Sequence, residues 1–291
     1  MSDQPLPLAA ARQAKRVERY YRWLDRLPWF HERRGEAGHG ALPVHRALAD
    51  PAGGPASPSV IHRLMLDGVD LPQSPRALDA GCGYGATMIE LAPKLGGVWT
   101  GLTLSAVQAA RGQAELARLR LANRVRIEVR SCDQPLEARY DLVYGIESLI
   151  HSADPAHTLR NLAAALAIGG HLVIVDDMPL PALPAEAQAR FDRFRRFWRA
   201  PVAPTREGWI AAAQQAGLQL AAERDLSPLL RIGGREALDP MIAALERRAW
   251  LPRRLGFGLR LEAEIGGRLL ETLQSDGFVE YRVLAFRRSR G

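Results

Sequence analysis

The chain has 291 residues, 47% hydrophobic and 24% charged, an ordinary globular composition that excludes a fibrous or wholly disordered polypeptide. Of its 39 cationic side chains all but Lys15 and Lys94 are arginine, and the formal charge of +7 is spread along the chain with no separate RNA-binding module, so no stable nucleic-acid partner is expected. Cys82 and Cys132 form no CxxC pair, which excludes a disulfide framework or a zinc ribbon.

Residues 8 to 25 have helix-forming composition, with Val17, Tyr20, Tyr21 and Leu24 at helical spacing. Tyr20, Tyr21, Trp23, Trp29 and Phe30 crowd into one short stretch, which suits a lid over an apolar or cationic group and equally suits a helix packing on a core. Residues 1–58 are therefore expected to form an N-terminal helical lid, with Tyr20, Tyr21 and Trp23 as candidate substrate contacts. His31, His39 and His45 have no regular metal-ligand spacing and no cysteine partner, so zinc is not expected. The MSDQPLPLAAARQAKR start places its first positive charge after its apolar patch, the wrong order for a secretory leader. The longest mostly apolar run, 162–175, is broken by Gly169, Gly170 and His171 and falls short of the roughly 20 residues a spanning helix needs. A cytoplasmic location is expected.

The loop DPAGGPASPS leads into a region, 59–180, where short apolar runs alternate with helical segments: ALDAG, TMIELAPKL, VWTGLTL, SAVQAARGQAELARLRL, VRIEVRS, YDLVYGI, HTLRNLAAALAIG and HLVIVDD. Strands alternating with helices predict an α/β fold, a doubly wound, Rossmann-like parallel sheet. Residues 181–291 add two helices, then strands LQLAAERDL and EYRVLAFRR, with two further helical stretches inserted between those strands (about 226–276) as a cap. In FDRFRRFWRA the arginines among aromatics could grip a diphosphate, but a solvated basic face is favoured.

LDAGCGYGA ends a short strand at Asp79 and sets glycines at 81, 83 and 85 before a helix. Glycine there lets the backbone turn sharply and approach a ligand at the carboxyl end of a strand. Gly81, Gly83 and Ala86 also satisfy the dinucleotide pattern GxGxxG/A, but the second strand ends in Thr103 where a ribose-binding acid would stand. With this loop and strand order the chain resembles the class I S-adenosylmethionine-dependent methyltransferases. GLTLSAVQAARG is similar to the Thr-Leu-Ser segment of the sterol, tocopherol and prenyl diphosphate C-methyltransferases and of the cyclopropane fatty acid synthases. The resemblance implies that Asp79, Gly81, Cys82, Gly83 and Gly85 hold the amino-acid end of S-adenosylmethionine, and that Thr103, Leu104 and Gln108 line the ribose. One of Ser131, Cys132 and Asp133 would then meet adenine. Both cysteines read as small buried side chains rather than nucleophiles. The turn AIGG (167–170) stands where the family has LxPGG before its fifth strand.

After the fourth strand, YGIESLIHSADP carries Glu147 and His151, four apart and on one face if the segment is helical. It resembles the acidic patch of the sterol and tocopherol enzymes. This implies methyl transfer to a small, largely apolar acceptor, with C-methylation of an isoprenoid-like alkene the favoured reading, Glu147 as base and His151 beside it. O- or N-methylation of a natural product is the alternative, and a catalytically inactive interaction protein of the same fold is another. Mg2+ is expected only if the acceptor is a diphosphate. The [DNS]-P-P-[YFW] tetrad of nucleic-acid amine methyltransferases is absent, and so is the Glu-His-Val-Gly segment of cyclopropane synthases.

Overall fold

The computed structural model describes residues 8–25, 45–249 and 258–289. Trp29, Phe30, His31, His39 and Trp250 lie outside the described residues. One seven-stranded sheet, in the order β3-β2-β1-β4-β5-β7-β6, organises the chain. The strands are β1 (Arg76–Ala80), β2 (Val98–Thr103), β3 (Val125–Val129), β4 (Tyr140–Ile146), β5 (Leu166–Pro179), β6 (Leu218–Asp225) and β7 (Val279–Arg288). The first five are parallel, and β7 inserts antiparallel between β5 and β6. After β1 the chain builds outward through β2 and β3, then returns to place β4 on the other side of β1. This reversal opens a crevice at the carboxyl ends of β1 and β4, where doubly wound sheets take their ligands.

Four of the five β1 residues are buried, as a strand covered on both faces requires. On one face α2 (Pro58–Leu64), α3 (Ala86–Leu95) and α4 (Ala106–Arg118) pack Ile61, Met65, Met88 and Leu116 against Trp99 and Tyr144. On the other, α5 (Pro155–Ala164) and α7 (Arg206–Gln215) bring Leu159, Leu162 and Trp209 onto Leu172 and Phe286. Each helix begins where local chemistry lets it: Ser57, Ser105, Asp154 and Thr205 cap the amides of α2, α4, α5 and α7 with their side-chain oxygens.

A third cluster lies over the crevice. Phe191, Phe194 and Phe197 of α6 (Ala185–Trp198) pack on Ile265, Leu269 and Leu273 of α9 (Gly258–Ser275), with Ile242 of α8 (Arg235–Ala249). Gly266 permits this approach, since a Cβ there would fall 2.5 Å from Trp198 Cδ1. The α6 arginines are bound to their own surroundings: Arg190 pairs with Glu186 and Asp239, Arg193 with Glu246, and Arg195 donates to the carbonyls of Ala200 and Pro201. α1 (Leu8–Leu24) is tied down by Gln13, whose Nε2 donates to the carbonyls of Arg199 (2.7 Å) and His151 (3.1 Å).

One expected boundary moves. The 167–170 segment is no free turn before β5: α5 stops at Ala164 and the strand already begins at Leu166. The extra residues are absorbed as a break in register, Tyr140 pairing with Leu166 but Leu142 with His171. The physical cause is a bulge with Gly169 at φ 82, which a strand accommodates without giving up its pairing.

Candidate active site

A cavity of about 800 Å³ occupies the crevice, floored by the β1 and β4 loops and walled by α1, α8 and α9. Asp79 at the end of β1 and Gly81, Cys82 and Gly83 after it line the cavity. Gly81 has φ 102, and a Cβ there would stand 2.3 Å from Ser148 Cβ, so bare backbone faces the cavity. Gly85 lies outside the cavity wall; it caps α3 in the left-handed region at φ 82, with Ile127 3.0 Å from where its Cβ would be. Thr103, Leu104 and Gln108 line the β2 side, and Ser131, Cys132 and Asp133 the β3 side. The Thr103 hydroxyl donates to Gln108 Oε1 (3.0 Å), and Thr158 donates to the Asp133 carboxylate. Burial pushes the Cys132 thiol up to about 12 and the Cys82 thiol well up, so neither is a thiolate nucleophile.

Asp79 is buried beside Tyr144, and loss of solvent raises its carboxyl to about 7. A buried acid in that condition is a ready receptor for a cation. The α1 end reaches the same region from the far side. Asp25, just past α1, accepts from Tyr84 (2.6 Å), Ser105 (3.1 Å) and Gln108 (3.3 Å), joining the glycine loop and the Thr-Leu-Ser turn to α1. Asp25 carried no signal in the sequence beyond following an amphipathic helix.

Glu147 and His151 both line the cavity, but not as one helical face. Glu147 adopts φ 49, and only Leu149–His151 forms a single 3-10 turn. A left-handed conformation is uncommon outside glycine and marks a residue held by its surroundings. Here Glu147 Oε1 accepts from Arg46 Nε (2.8 Å), Arg46 N (3.3 Å) and the Tyr281 hydroxyl (2.9 Å). Arg46 also forks onto Asp177 (2.6 and 3.3 Å) and lies 4.5 Å above the Tyr281 ring; Gln274 donates to Asp177 (2.6 Å). Burial opposes the Glu147 charge, but Arg46, His45 and the Tyr281 hydroxyl outweigh it and hold the carboxyl below its ordinary range. Asp177, more deeply enclosed, rises to about 6 despite Arg46. Arg46, Asp177, Gln274 and Tyr281 escaped sequence reasoning because they come from three segments far apart in the chain.

His151 Nε2 lies 2.9 Å from the Tyr21 hydroxyl, the rings edge to face, and burial lowers the imidazole to about 4, leaving it neutral. Tyr20 and Tyr21 line the cavity; Trp23 instead packs with the Tyr20–Leu24 cluster outside its wall. Among the described residues no group of three or more His, Cys, Asp or Glu side chains is arranged to hold a metal, and no helix is long and apolar enough to cross a membrane.

Residues 78–172 match the family model described as a methyltransferase domain. The O-methyltransferase resE of Aspergillus sclerotiorum is 30% identical over 203 residues, 68% of this chain and 69% of that protein. The chloroplastic tocopherol O-methyltransferase of Arabidopsis thaliana is 38% identical over 102 residues, which is 34% of this chain and 29% of that protein's length. Geranyl diphosphate C-methyltransferase from Streptomyces coelicolor shares the fold at a TM-score of 0.72 and 20% identity, covering 97% of this chain and all of that one. The chain belongs to the S-adenosylmethionine-dependent methyltransferases. S-adenosylmethionine is its cofactor, and the buried Asp79 beside Tyr144, with the open glycine backbone next to it, fits the cofactor's ammonium and carboxylate.

Proposed function

We propose that the chain methylates a hydroxyl oxygen of a small, largely apolar secondary metabolite. When bound, S-adenosylmethionine supplies an electrophilic methyl group on sulfur. Asp79, Gly81, Cys82 and Gly83 would hold its amino-acid end, with Gly85 shaping the loop; Thr103, Leu104 and Gln108 would border the ribose, and Ser131, Cys132 and Asp133 the adenine. The lid residues Tyr20 and Tyr21 would cover the acceptor.

The Glu147 carboxylate carries the proposal. Among the described residues its carboxylate hydrogen bonds fall on Oε1, its ionised form is favoured, and the residue lines the cavity, so Oε2 would take a donor on the acceptor. A hydroxyl donating to Oε2 is oriented and made more nucleophilic. Arg46 behind the carboxylate favours negative charge developing on that oxygen. The neutral His151 would hold the Tyr21 ring in place over it.

C-methylation of an isoprenoid-like alkene, with Glu147 removing the proton, is the second reading. The aromatic faces of Tyr20, Tyr21 and Trp198 in the cavity wall favour it, because they would stabilise a carbocation. Arg46 weighs against it, since a guanidinium repels that cation, and the names of the curated relatives weigh the same way. A diphosphate acceptor would have to bring Mg2+ with it, given the lack of a metal cluster among the described residues.

Methyl-labelled cofactor, offered with phenols, polyketide alcohols, prenyl diphosphates and amines, tests the proposal. The expected outcome is label on oxygen, with Glu147→Gln keeping cofactor affinity while losing turnover by roughly 100-fold to 10,000-fold. Label on carbon would transfer the assignment to the second reading. Cofactor binding without transfer to any acceptor would favour an inactive interaction protein.

A further inference from the structure

A buried hydrogen-bonding atom without a partner is costly, and beside a cavity it calls for water or a ligand group. Gln274 carries such an atom. The residue stands in the last turn of α9, lines the cavity and is only 7% exposed. Its Nε2 donates to Asp177 Oδ1 (2.6 Å), but among the described residues its buried Oε1 accepts from no donor. The charged side chains that α9 brings to the same wall are matched within the helix: Glu264 pairs with Arg260, and Arg268 with Glu271. Gln274 Oε1 is left over.

The direction of the amide follows from the groups around it. Asp177 rises only to about 6, so at neutral pH it is mainly ionised and has acceptors alone to offer, which it already turns to Arg46 (2.6 and 3.3 Å). The amide must therefore present its nitrogen to Asp177; reversed, it would set oxygen against a carboxylate oxygen. Arg46 also donates to Glu147 (2.8 Å), so Glu147 and Gln274, both in the cavity wall, are braced by one guanidinium–carboxylate pair. As the structure stands Oε1 is nearly covered, and a turn about the last side-chain torsion, which is broad in glutamine, uncovers it. An apolar acceptor filling the cavity expels the water that could otherwise meet the oxygen. The donor must then come from the acceptor itself.

We propose that Gln274 Oε1 accepts from a second hydroxyl of the acceptor, one that is not methylated, so that the preferred substrates carry two hydroxyls and leave with one. Glu147 orients the hydroxyl that reacts, and Gln274 recognises the hydroxyl that is spared. A site built to hold a substrate hydroxyl discriminates against the analogue that lacks it, because its own buried polar group is then stranded. The contact rests on the hydroxyl-methylation reading given above and makes Gln274 a residue of specificity, with no part in the bond exchange.

The test offers methyl-labelled S-adenosylmethionine to the full chain with hexyl-substituted phenols, the corresponding benzenediols, the mono-O-methyl ethers of those diols, and straight-chain alcohols and diols. An ether matches its diol in shape but has lost one donor. Wild type should prefer diols over matched ethers by roughly 10-fold to 100-fold in kcat/KM, and Gln274→Met should narrow the preference to within about threefold. A merely structural glutamine would lower both substrates alike and leave their ratio unchanged. In wild-type protein labelled at the glutamine side-chain carbonyls, with Gln274→Met assigning the signal and S-adenosylhomocysteine bound, the Gln274 carbonyl resonance should move with the diols and stay with the ethers. An unaltered ratio in Gln274→Met, or a resonance that no compound moves, overturns the contact alone. Label on carbon only overturns the hydroxyl reading beneath it, and S-adenosylmethionine binding with no label on any compound overturns methyl transfer itself.

Discussion

On the side of the cavity proposed for the cofactor, Gly81 stands at φ 102 within a nine-residue motif, and Ser148 occupies the space a Cβ there would need. On the side proposed for the acceptor, Glu147 takes its donors from Arg46, 101 residues earlier, and Tyr281, 134 residues later, while Arg46 spans 131 residues to Asp177. The first surface is made by local backbone that leaves room; the second by side chains from distant segments that neutralise one another. A ligand common to a whole family suits the former, since backbone amides and a turn survive sequence change. An acceptor particular to one enzyme suits the latter, since a long-range network can be altered one residue at a time.

Removing Arg46 should break this contrast most visibly. Arg46→Met leaves Glu147 and Asp177 buried without their cation, and truncating one partner of a buried pair costs about 3–5 kcal/mol. Urea unfolding should show that loss at pH 8. With the guanidinium gone Asp177 rises further above about 6 and Glu147 rises from below its ordinary range, so the folded variant binds protons that the wild type does not, and the deficit should already shrink as pH falls from 8 toward 6. A deficit under about 1 kcal/mol would mean that the network is dispensable.

Asp25→Ala tests whether the lid belongs to the cofactor side as well. Tyr84, Ser105 and Gln108 would lose a shared buried acceptor, a change worth about 1–3 kcal/mol. Weaker S-adenosylmethionine binding by calorimetry is the expected result, and removal of residues 8–25 should weaken it at least as much. This differs from a lid that covers the acceptor alone, whose deletion would spare cofactor affinity. Gly81→Ala should weaken cofactor binding about tenfold, equivalent to about 1.4 kcal/mol, because its Cβ collides with Ser148 in a conformation that L residues avoid. Ser148→Gly in the same chain should restore part of the affinity; no restoration would place the damage in backbone strain.

The smallest effect concerns Asp79. Its folded-state pKa of about 7 lies above the unfolded value, so its contribution to apo stability is full below about pH 4 and is lost as pH rises through 7. Asp79→Asn should flatten that part of the stability profile. A cation bound beside Asp79 favours its ionised form, so S-adenosylmethionine binding near pH 6.5 should release a fraction of a proton, measured by calorimetry in buffers of different ionisation enthalpy. No proton release would place the ammonium elsewhere.

The sheet, the glycine loop and the helical insertion before the last strand were legible because each depends on neighbours in the chain: hydrophobic period, turn glycines and capping residues act within a few positions. LDAGCGYGA and the Thr103–Gln108 turn, each a local motif, lie together on the wall of one cavity. Glu147 and His151 were legible as residues near a strand end, but their shared helical face was not realised, because the pairing of Glu147 N with the Val175 carbonyl (2.8 Å) continues the β4–β5 ladder through that position. Arg46, Asp177, Gln274 and Tyr281 were invisible in advance. A charge in a sequence has no sign of its partner. Only when the sheet brings β4, β5 and β7 side by side, and the chain before α2 crosses their ends, do these groups leave water together, and loss of solvent then makes their mutual distances decide which are ionised and what they can bind.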